Sequence, residues 1–288
     1  MADFRVGFIG GSGLYDMDRI KDRSEVYVET PFGDPSDAII TGTLDGIDVA
    51  FLPRHGRGHK LLPTEIPVRA NIYALKSLGV QSIVSISAVG SLKEHLKPLD
   101  VVVPDQIIDR TRARPSTFFG DGVAAHVGFA DPFCPTLRPL AVKSGIAEGT
   151  DTHAGGIYVV MEGPQFSTRA ESTLYRNWGA SVIGMTALPE AKLAREAEIC
   201  YVTLAFVTDY DVWRESEDEV SVELIVQNLL ANVSTGQRII RRMIAEMPNL
   251  AGCSCRSALE SAIITNPDAI PDAARERLGL LIDKYVKD

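Results

Sequence analysis

The sequence predicts an α/β fold, with buried strands gathered into a sheet and helices packed against it. Three observations carry this. Cys200–Asp211 (CYVTLAFVTDYD) is a run of apolar and β-branched residues, too short to span a bilayer and lacking a helical stripe, as expected of a strand buried on both faces. Ile47–Leu52, Ile66–Leu78 and Ser82–Ser87 read as strand, helix and strand within about forty residues, the pattern of a right-handed βαβ crossover. Val220–Met243 carries apolar residues at Val222, Ile225, Val226, Leu229, Leu230, Val233, Ile239, Ile240 and Met243, the stripe of a long amphipathic helix.

Each element follows from local signals. Arg5–Ile9 is a short strand running into Gly10-Gly11-Ser12-Gly13, where backbone N–H groups and the Ser12 hydroxyl can converge on an anion. The dinucleotide fingerprint would need glycine where Asp16 stands, and no Gly-Lys-Ser/Thr follows, so this is a phosphate-sized turn without a nucleotide-fold signature. Ala38–Thr43 and Ile47–Leu52 are joined by Asp45-Gly46, a strong hairpin signal. Pro53-Arg54-His55-Gly56-Arg57-Gly58-His59 follows, and guanidinium groups beside glycines suit bidentate phosphate recognition. Pro63-Thr64-Glu65 opens the Ile66–Leu78 helix and Gly79 ends it. Ser82–Ser87 is the next strand, ending in an Ala88-Val89-Gly90-Ser91 turn.

Asp100–Pro104 is a further strand, Arg110–Gly122 a basic and aromatic loop leading to His126, and Phe133–Ser144 a helix after Asp131-Pro132. Ile157–Met161 feeds Glu162-Gly163-Pro164, which breaks the strand. Ser167 or Thr168 can cap the helix that follows, and Phe166 is left at its mouth, able to stack on a planar base or to anchor the core. Ala180–Ile183 leads to Gly184-Met185-Thr186, where a soft methionine suits an adaptable apolar contact. Ser257–Ile264 and Pro271–Tyr285 read as terminal helices about an Asn266-Pro267-Asp268 turn. The 288 residues carry 45% hydrophobic content and no composition break, so one domain over 1–288 is expected, with a helical tail from about residue 250.

A formal charge of −9 argues against nonspecific binding to nucleic acid or anionic membranes. No apolar stretch reaches membrane-spanning length and the start lacks a leader pattern, which points to the cytoplasm. Four cysteines, Cys134, Cys200, Cys253 and Cys255, include no C-x-x-C pair. The sequence therefore gives only a weak metal signal, and leaves free thiols, a Cys253–Cys255 disulfide or a Cys134–Cys200 bridge open.

The chemistry concentrates at Asp209 and Asp211. Ligands of open α/β sheets bind at the carboxyl ends of strands. A carboxylate at the edge of an apolar core has its pKa raised toward the range useful for proton transfer. The competing reading is a helix N-cap, for which one aspartate suffices.

FIGGSGLYD, LPRHGRGH, ISAVGS, DRTRARP, MEGPQFSTRAE, IGMTALPEAKLAREAEICY and TDYDVW together resemble, in order and spacing across residues 5–245, the methylthioadenosine phosphorylases of the purine nucleoside phosphorylase superfamily. The resemblance implies a single α/β domain with a central mixed β-sheet flanked by helices, assembled as a homotrimer or a dimer of trimers. It implies that inorganic phosphate, the co-substrate, cleaves 5′-methylthioadenosine to adenine and 5-methylthioribose 1-phosphate, with no metal or other cofactor. On the matching blocks Ser12, Arg54, His55, Ser87, Ala88 and Thr186 fall on phosphate positions, and Met185 beside the ribose. Phe166, Ser167, Asp209 and Asp211 fall on the base. Val222, Ile225 and Val226 fall on the methylthio wall, and His126 enters from a neighbouring subunit.

Some relatives have threonine where Ser12 and Ser87 stand, and the tail diverges where the family covers the methylthio group. Asp209 is then the acid that protonates purine N7, a step worth ~10²–10⁴-fold. Relatives that act on inosine or guanosine place asparagine at that position. A phosphorylase for inosine, guanosine or methylthioinosine is the nearest rival activity, and a non-catalytic nucleoside- or phosphate-binding protein the rival of another class.

Overall fold

The computed structural model describes residues 6–11, 14, 20–214 and 222–286, with side chains in the last segment from residue 228 onward, 229 excepted. Among these, eleven strands form one mixed sheet: β1 (Val6–Gly10), β2 (Lys21–Val26), β3 (Ile39–Leu44), β4 (Ile47–Pro53), β5 (Ser82–Ser91), β6 (Val101–Val103), β7 (Gln106–Arg110), β8 (Thr152–Ala154), β9 (Ile157–Met161), β10 (Val182–Gly184) and β11 (Cys200–Asp209). The helices are α1 (Val68–Ser77), α2 (Leu137–Ala147), α3 (Arg169–Asn177), α4 (Ala187–Glu196), α5 (Val222–Ala245) and α6 (Asp272–Ile282).

The hub is β5. Its first four residues pair in parallel with β1, its last two run antiparallel to β10, and its other edge pairs in parallel with β11 from Ser82 to Gly90. One strand thus splits the sheet into two arms, β2-β3-β4-β1 on one side and β10-β9-β7 on the other, with β11, β6 and β8 branching off. The expected turn at Ala88–Ser91 is therefore corrected. Those small residues continue the strand, because β11 supplies partners for them.

The unbroken apolar run of β11 has a direct cause. Tyr201, Ala205 and Val207 enter one hydrophobic core, while Cys200, Val202, Leu204 and Phe206 enter a second on the opposite face. Alternate side chains of a strand point to opposite faces, so a strand between two cores must be apolar at every position. Helices α2, α4 and α5 pack against it. Asn228 and Asn232 of α5 donate to the Thr208 and Val207 carbonyls, at 2.6 and 3.5 Å, and so pin its carboxyl end.

The β3–β4 hairpin closes through Asp45 and Gly46, both at positive φ, as a two-residue turn that matches strand twist requires. Helix α3 begins with a capping box in which Thr168 and Glu171 satisfy each other's backbone N–H groups. Thr168 rather than Ser167 is the cap.

Other differences have local reasons. Helix α2 starts at Leu137 rather than Phe133, since Pro135 disfavours helical geometry at Cys134. In place of a Ser257–Ile264 helix there is a 3₁₀ turn at Ser254–Ser257, after which Ile263 bridges Ala125 in extended form. Leu230, assigned to the apolar stripe of α5, is 68% exposed. Strand β2 (KDRSEV) is an exposed edge strand with no apolar pattern to betray it. The three-residue β8 is too short to signal itself, and α4 begins in a stretch read only as a strand end.

Leu204 is fully buried in the second core. We expect Leu204→Ala to lower unfolding free energy by about 2–5 kcal/mol in urea denaturation. A loss below ~1 kcal/mol would contradict the tight packing assigned to this face of β11.

Candidate active site

A cavity of ≈ 590 Å³ opens at the carboxyl ends of β1, β5 and β11, within the range that holds a small-molecule ligand. It draws Gly11, Arg54, His55, Ser87, Ala88, Phe166, Met185, Thr186, Asp209 and Asp211 into one space. Ser12 lies outside the described residues, as do the side chains of Val222, Ile225 and Val226 at the start of α5. Farther along that helix Leu230, Asn232 and Val233 line the cavity. Ser167 is buried at its edge with its hydroxyl against the Met161 sulfur at 3.7 Å. His126 is exposed, donates its N–H to the Ala262 carbonyl and does not line this cavity.

At one end sits Arg54, 2% exposed. Its Nε donates to Glu190 Oε1 at 2.5 Å and its Nη2 to Glu190 Oε2 at 3.2 Å and Ser85 Oγ at 2.7 Å, while Nη1 donates to the Ile86 carbonyl at 2.7 Å. Ser85 and Tyr201 hydroxyls complete the shell of Glu190. The forked face expected to grip phosphate is thus engaged by a carboxylate. One Nη1 N–H is left without an acceptor among the described residues. Arg57 is also corrected, because its fork grips Glu25 and Asp37 on the surface instead of facing the cavity.

Burial, and then the Arg54 charge, push the His55 pKa down to about 4, so the ring is neutral. Its Nδ1 lies 2.8 Å from the Leu61 carbonyl, which can only accept. Nδ1 therefore carries the proton, and Nε2 keeps a lone pair suited to the P–OH of a hydrogen phosphate. Thr186 donates to Ser87 at 2.8 Å, and Tyr158 lies 3.4 Å behind it.

At the other end the β5–β11 register shifts between Val207 and Asp209, and this bulge re-aims the carboxylates. A side chain at Gly90 would come within 3.0 Å of Asp209 Oδ1 and 3.3 Å of Asp211 Cβ, so glycine is what admits the pair. Burial raises the Asp209 pKa, opposed by the Thr208 hydroxyl and the Asp211 N–H. That N–H donates to Oδ1 at 2.7 Å.

The Thr208 hydroxyl has one proton and two neighbours, the Val89 carbonyl at 3.2 Å and Asp209 Oδ2 at 2.7 Å. A protonated Asp209 donates to Thr208, which donates on to Val89, and every group is satisfied. An ionised Asp209 takes that proton from the Val89 carbonyl, which is how the Thr208 hydroxyl opposes the effect of burial. Burial also raises Asp211, against the Ser172 and Ser167 hydroxyls. Its Oδ2 is buried without a hydrogen-bond partner among the described residues, and such an atom calls for a donor from a ligand.

Two positioning groups carried no sequence signal of their own. Glu190 fixes Arg54 across 136 residues of chain. Arg114, inside the basic loop, donates to the Met161, Glu162, Met185 and Leu188 carbonyls and so ties together the two loops that bear Phe166 and Met185. The metal-competent cluster among the described residues is formed by the four cysteines, at the far end of β11.

A family model described as the phosphorylase superfamily matches residues 5–245. The chain is 57% identical to the S-methyl-5′-thioadenosine phosphorylase of Koribacter versatilis, covering 97% of this chain and 96% of that one. It is 55% identical to the counterpart from Geobacter sulfurreducens, over 98% and 99%. Among solved structures, a methylthioadenosine phosphorylase sourced from an antarctic soil metagenomic library superposes with a TM-score of 0.92 at 50% identity, covering 98% and 99%. That of Schistosoma mansoni in complex with adenine gives 0.86 at 34%, covering 90% and 98%.

Removing one member of a buried ion pair strands the other. Glu190→Ala should therefore cost about 3–5 kcal/mol of stability in urea denaturation. A cost below ~1 kcal/mol, the range of exposed pairs, would contradict the isolation of this pair from water.

Proposed function

The chain belongs to the phosphorylase superfamily, and we propose that it cleaves the N-glycosidic bond of 5′-methylthioadenosine with inorganic phosphate, releasing adenine and 5-methylthioribose 1-phosphate. The observation that carries the reading is the buried Asp209–Asp211 pair with its unpartnered Oδ2, in a chain whose relatives along nearly their whole length bear that name.

Phosphate is already a nucleophile, so no activated side chain is needed to make one. Arg54 Nη1, the Ser87 and Thr186 hydroxyls, the Ala88 backbone and the Ser12 turn hold it, and His55 Nε2 accepts from its P–OH. As a phosphate oxygen approaches C1′, the C1′–N9 bond lengthens and its electron pair moves into the purine. Asp209 gives its proton to N7, which replaces Thr208 as the acceptor, and adenine leaves neutral. Solvent then reprotonates the carboxylate.

Asp211 accepts from the 6-amino group. A 6-oxo purine would set an acceptor against an acceptor there, a mismatch that can reach ~10⁴-fold in a buried polar site. Phe166 stacks on the base, Ser167 borders it and Met185 meets the ribose. By the family resemblance, the methylthio wall is assigned to Val222, Ile225 and Val226. No metal or organic cofactor takes part.

The assembly is a homotrimer or a dimer of trimers in which His126 serves a neighbouring subunit's cavity, in keeping with its exposure on its own chain. The enzyme is assigned to purine and methionine salvage in the cytoplasm, a role in keeping with its proposed substrate and products. Among the described residues no helix is long and apolar enough to cross a membrane.

Asp209→Asn should lower phosphate-dependent adenine release by ~10²–10⁴-fold while leaving the folded state intact by circular dichroism. Unchanged turnover would overturn the acid role. Strong turnover of inosine with none of methylthioadenosine would overturn the substrate. The raised pKa also sets the sign of the pH dependence. The acid is present below that pKa and is lost as pH rises through it, so wild-type kcat should show an alkaline limb. A flat alkaline profile would contradict the assignment.

A further inference from the structure

Cys200 opens β11, Cys134 precedes α2 by three residues, and Cys253 and Cys255 flank Ser254 in the C-terminal tail. None of them belongs to the cavity. The fold nevertheless brings all four Sγ atoms within 4.8 Å of one another, with Cys134 and Cys253 at 3.6 Å. Cys134, Cys200 and Cys255 are buried, Cys253 is half-buried, and all four are free thiols.

That spacing has a chemical meaning. Four sulfurs bound tetrahedrally to zinc at ~2.3 Å lie about 3.8 Å from one another. A disulfide would instead need pairs drawn to ~2.05 Å. Four thiols this close to one another can all reach a single ion. The surroundings suit thiolates as well. The Leu137 N–H, in the first turn of α2, donates to Cys134 Sγ at 3.4 Å, and the Thr136 hydroxyl to Cys253 Sγ at 3.7 Å. Donors of this kind orient metal ligands and offset the negative charge that builds up on sulfur.

We propose that Cys134, Cys200, Cys253 and Cys255 form a structural zinc site of the tetrathiolate class. Each thiol gives up its proton and each sulfur donates an electron pair to the ion, so no oxidant or reductant is required. With four protein ligands the site is closed, which is the mark of a structural rather than a catalytic zinc. It sits nine residues from Asp209 along β11, about 30 Å of extended chain at strand rise. Its effect is to staple the tail to the start of the central strand and to the loop before α2. The metal signal in the sequence is weak because two of the ligands are isolated cysteines, 66 residues apart, that only the fold unites.

The test is metal analysis of the full chain purified without chelator, paired with thiol counting after denaturation. We expect about one zinc per chain, retained through dialysis against EDTA and released as a mercurial titrates the thiols. Four thiols should titrate with or without reductant. Cobalt(II) in place of zinc should give the intense visible absorption of a tetrahedral thiolate centre, and Cys253→Ser should lose the metal. Protein with no stoichiometric metal would overturn the proposal, whether its thiols are all free or appear only after reduction. The wild-type metal content decides this even if the variant fails to fold.

Discussion

The pairing of β11 with β5 is the constraint on which the rest of the molecule depends. β11 lies between two apolar cores, so water is excluded along its whole length. It then ends, through a one-residue irregularity, in two carboxylates set against Gly90 of its partner. Burial that would be merely costly for a structural aspartate is what the proposed acid role of Asp209 draws on. β5 also carries Ser85, Ser87 and Ala88 toward the other end of the cavity, so one ladder sets the separation between the proposed anion and base sites.

The electrostatics of the two ends are complementary in an economical way. Arg54 is positive but is matched by Glu190, its charge held in place rather than offered freely. His55 is neutral, so the proposed anion end presents directed N–H and O–H groups more than bulk positive charge. An acidic chain can thereby hold an anion without a cationic surface. At the proposed base end burial pushes both carboxyl groups toward their neutral forms, against the hydrogen bonds that the Thr208 hydroxyl and the Asp211 N–H donate to Asp209. Arg114 ties together the two loops that bear Phe166 and Met185 by donating to carbonyls of both.

Much of this was legible in the chain because the signals were strong and local. The two-core strand announced itself as an unbroken apolar run, the hairpin as Asp45-Gly46, and the α3 start as a hydroxyl cap at Ser167 or Thr168. What escaped depended on partners distant in sequence. Ala88–Ser91 carried turn-forming residues, yet β11 held them as strand. Arg54 looked like an open phosphate clamp because nothing in LPRHGRGH reveals that Glu190 will occupy its fork. The cysteines could be read only as free thiols or as pairs, Cys253 with Cys255 and Cys134 with Cys200, and not as one cluster, for the same reason. β2 was invisible because an exposed edge strand needs no apolar pattern.

The central claim is that Asp209 holds a proton at neutral pH with phosphate and a purine nucleoside bound. Isotope-edited infrared difference spectroscopy of that ternary complex, made with an unreactive nucleoside analogue, measures it directly. The account predicts a protonated carboxyl stretch at neutral pH, identified by its absence from a variant lacking that carboxyl, and lost only as pH is raised. A carboxylate signal from Asp209 throughout the neutral range would contradict it.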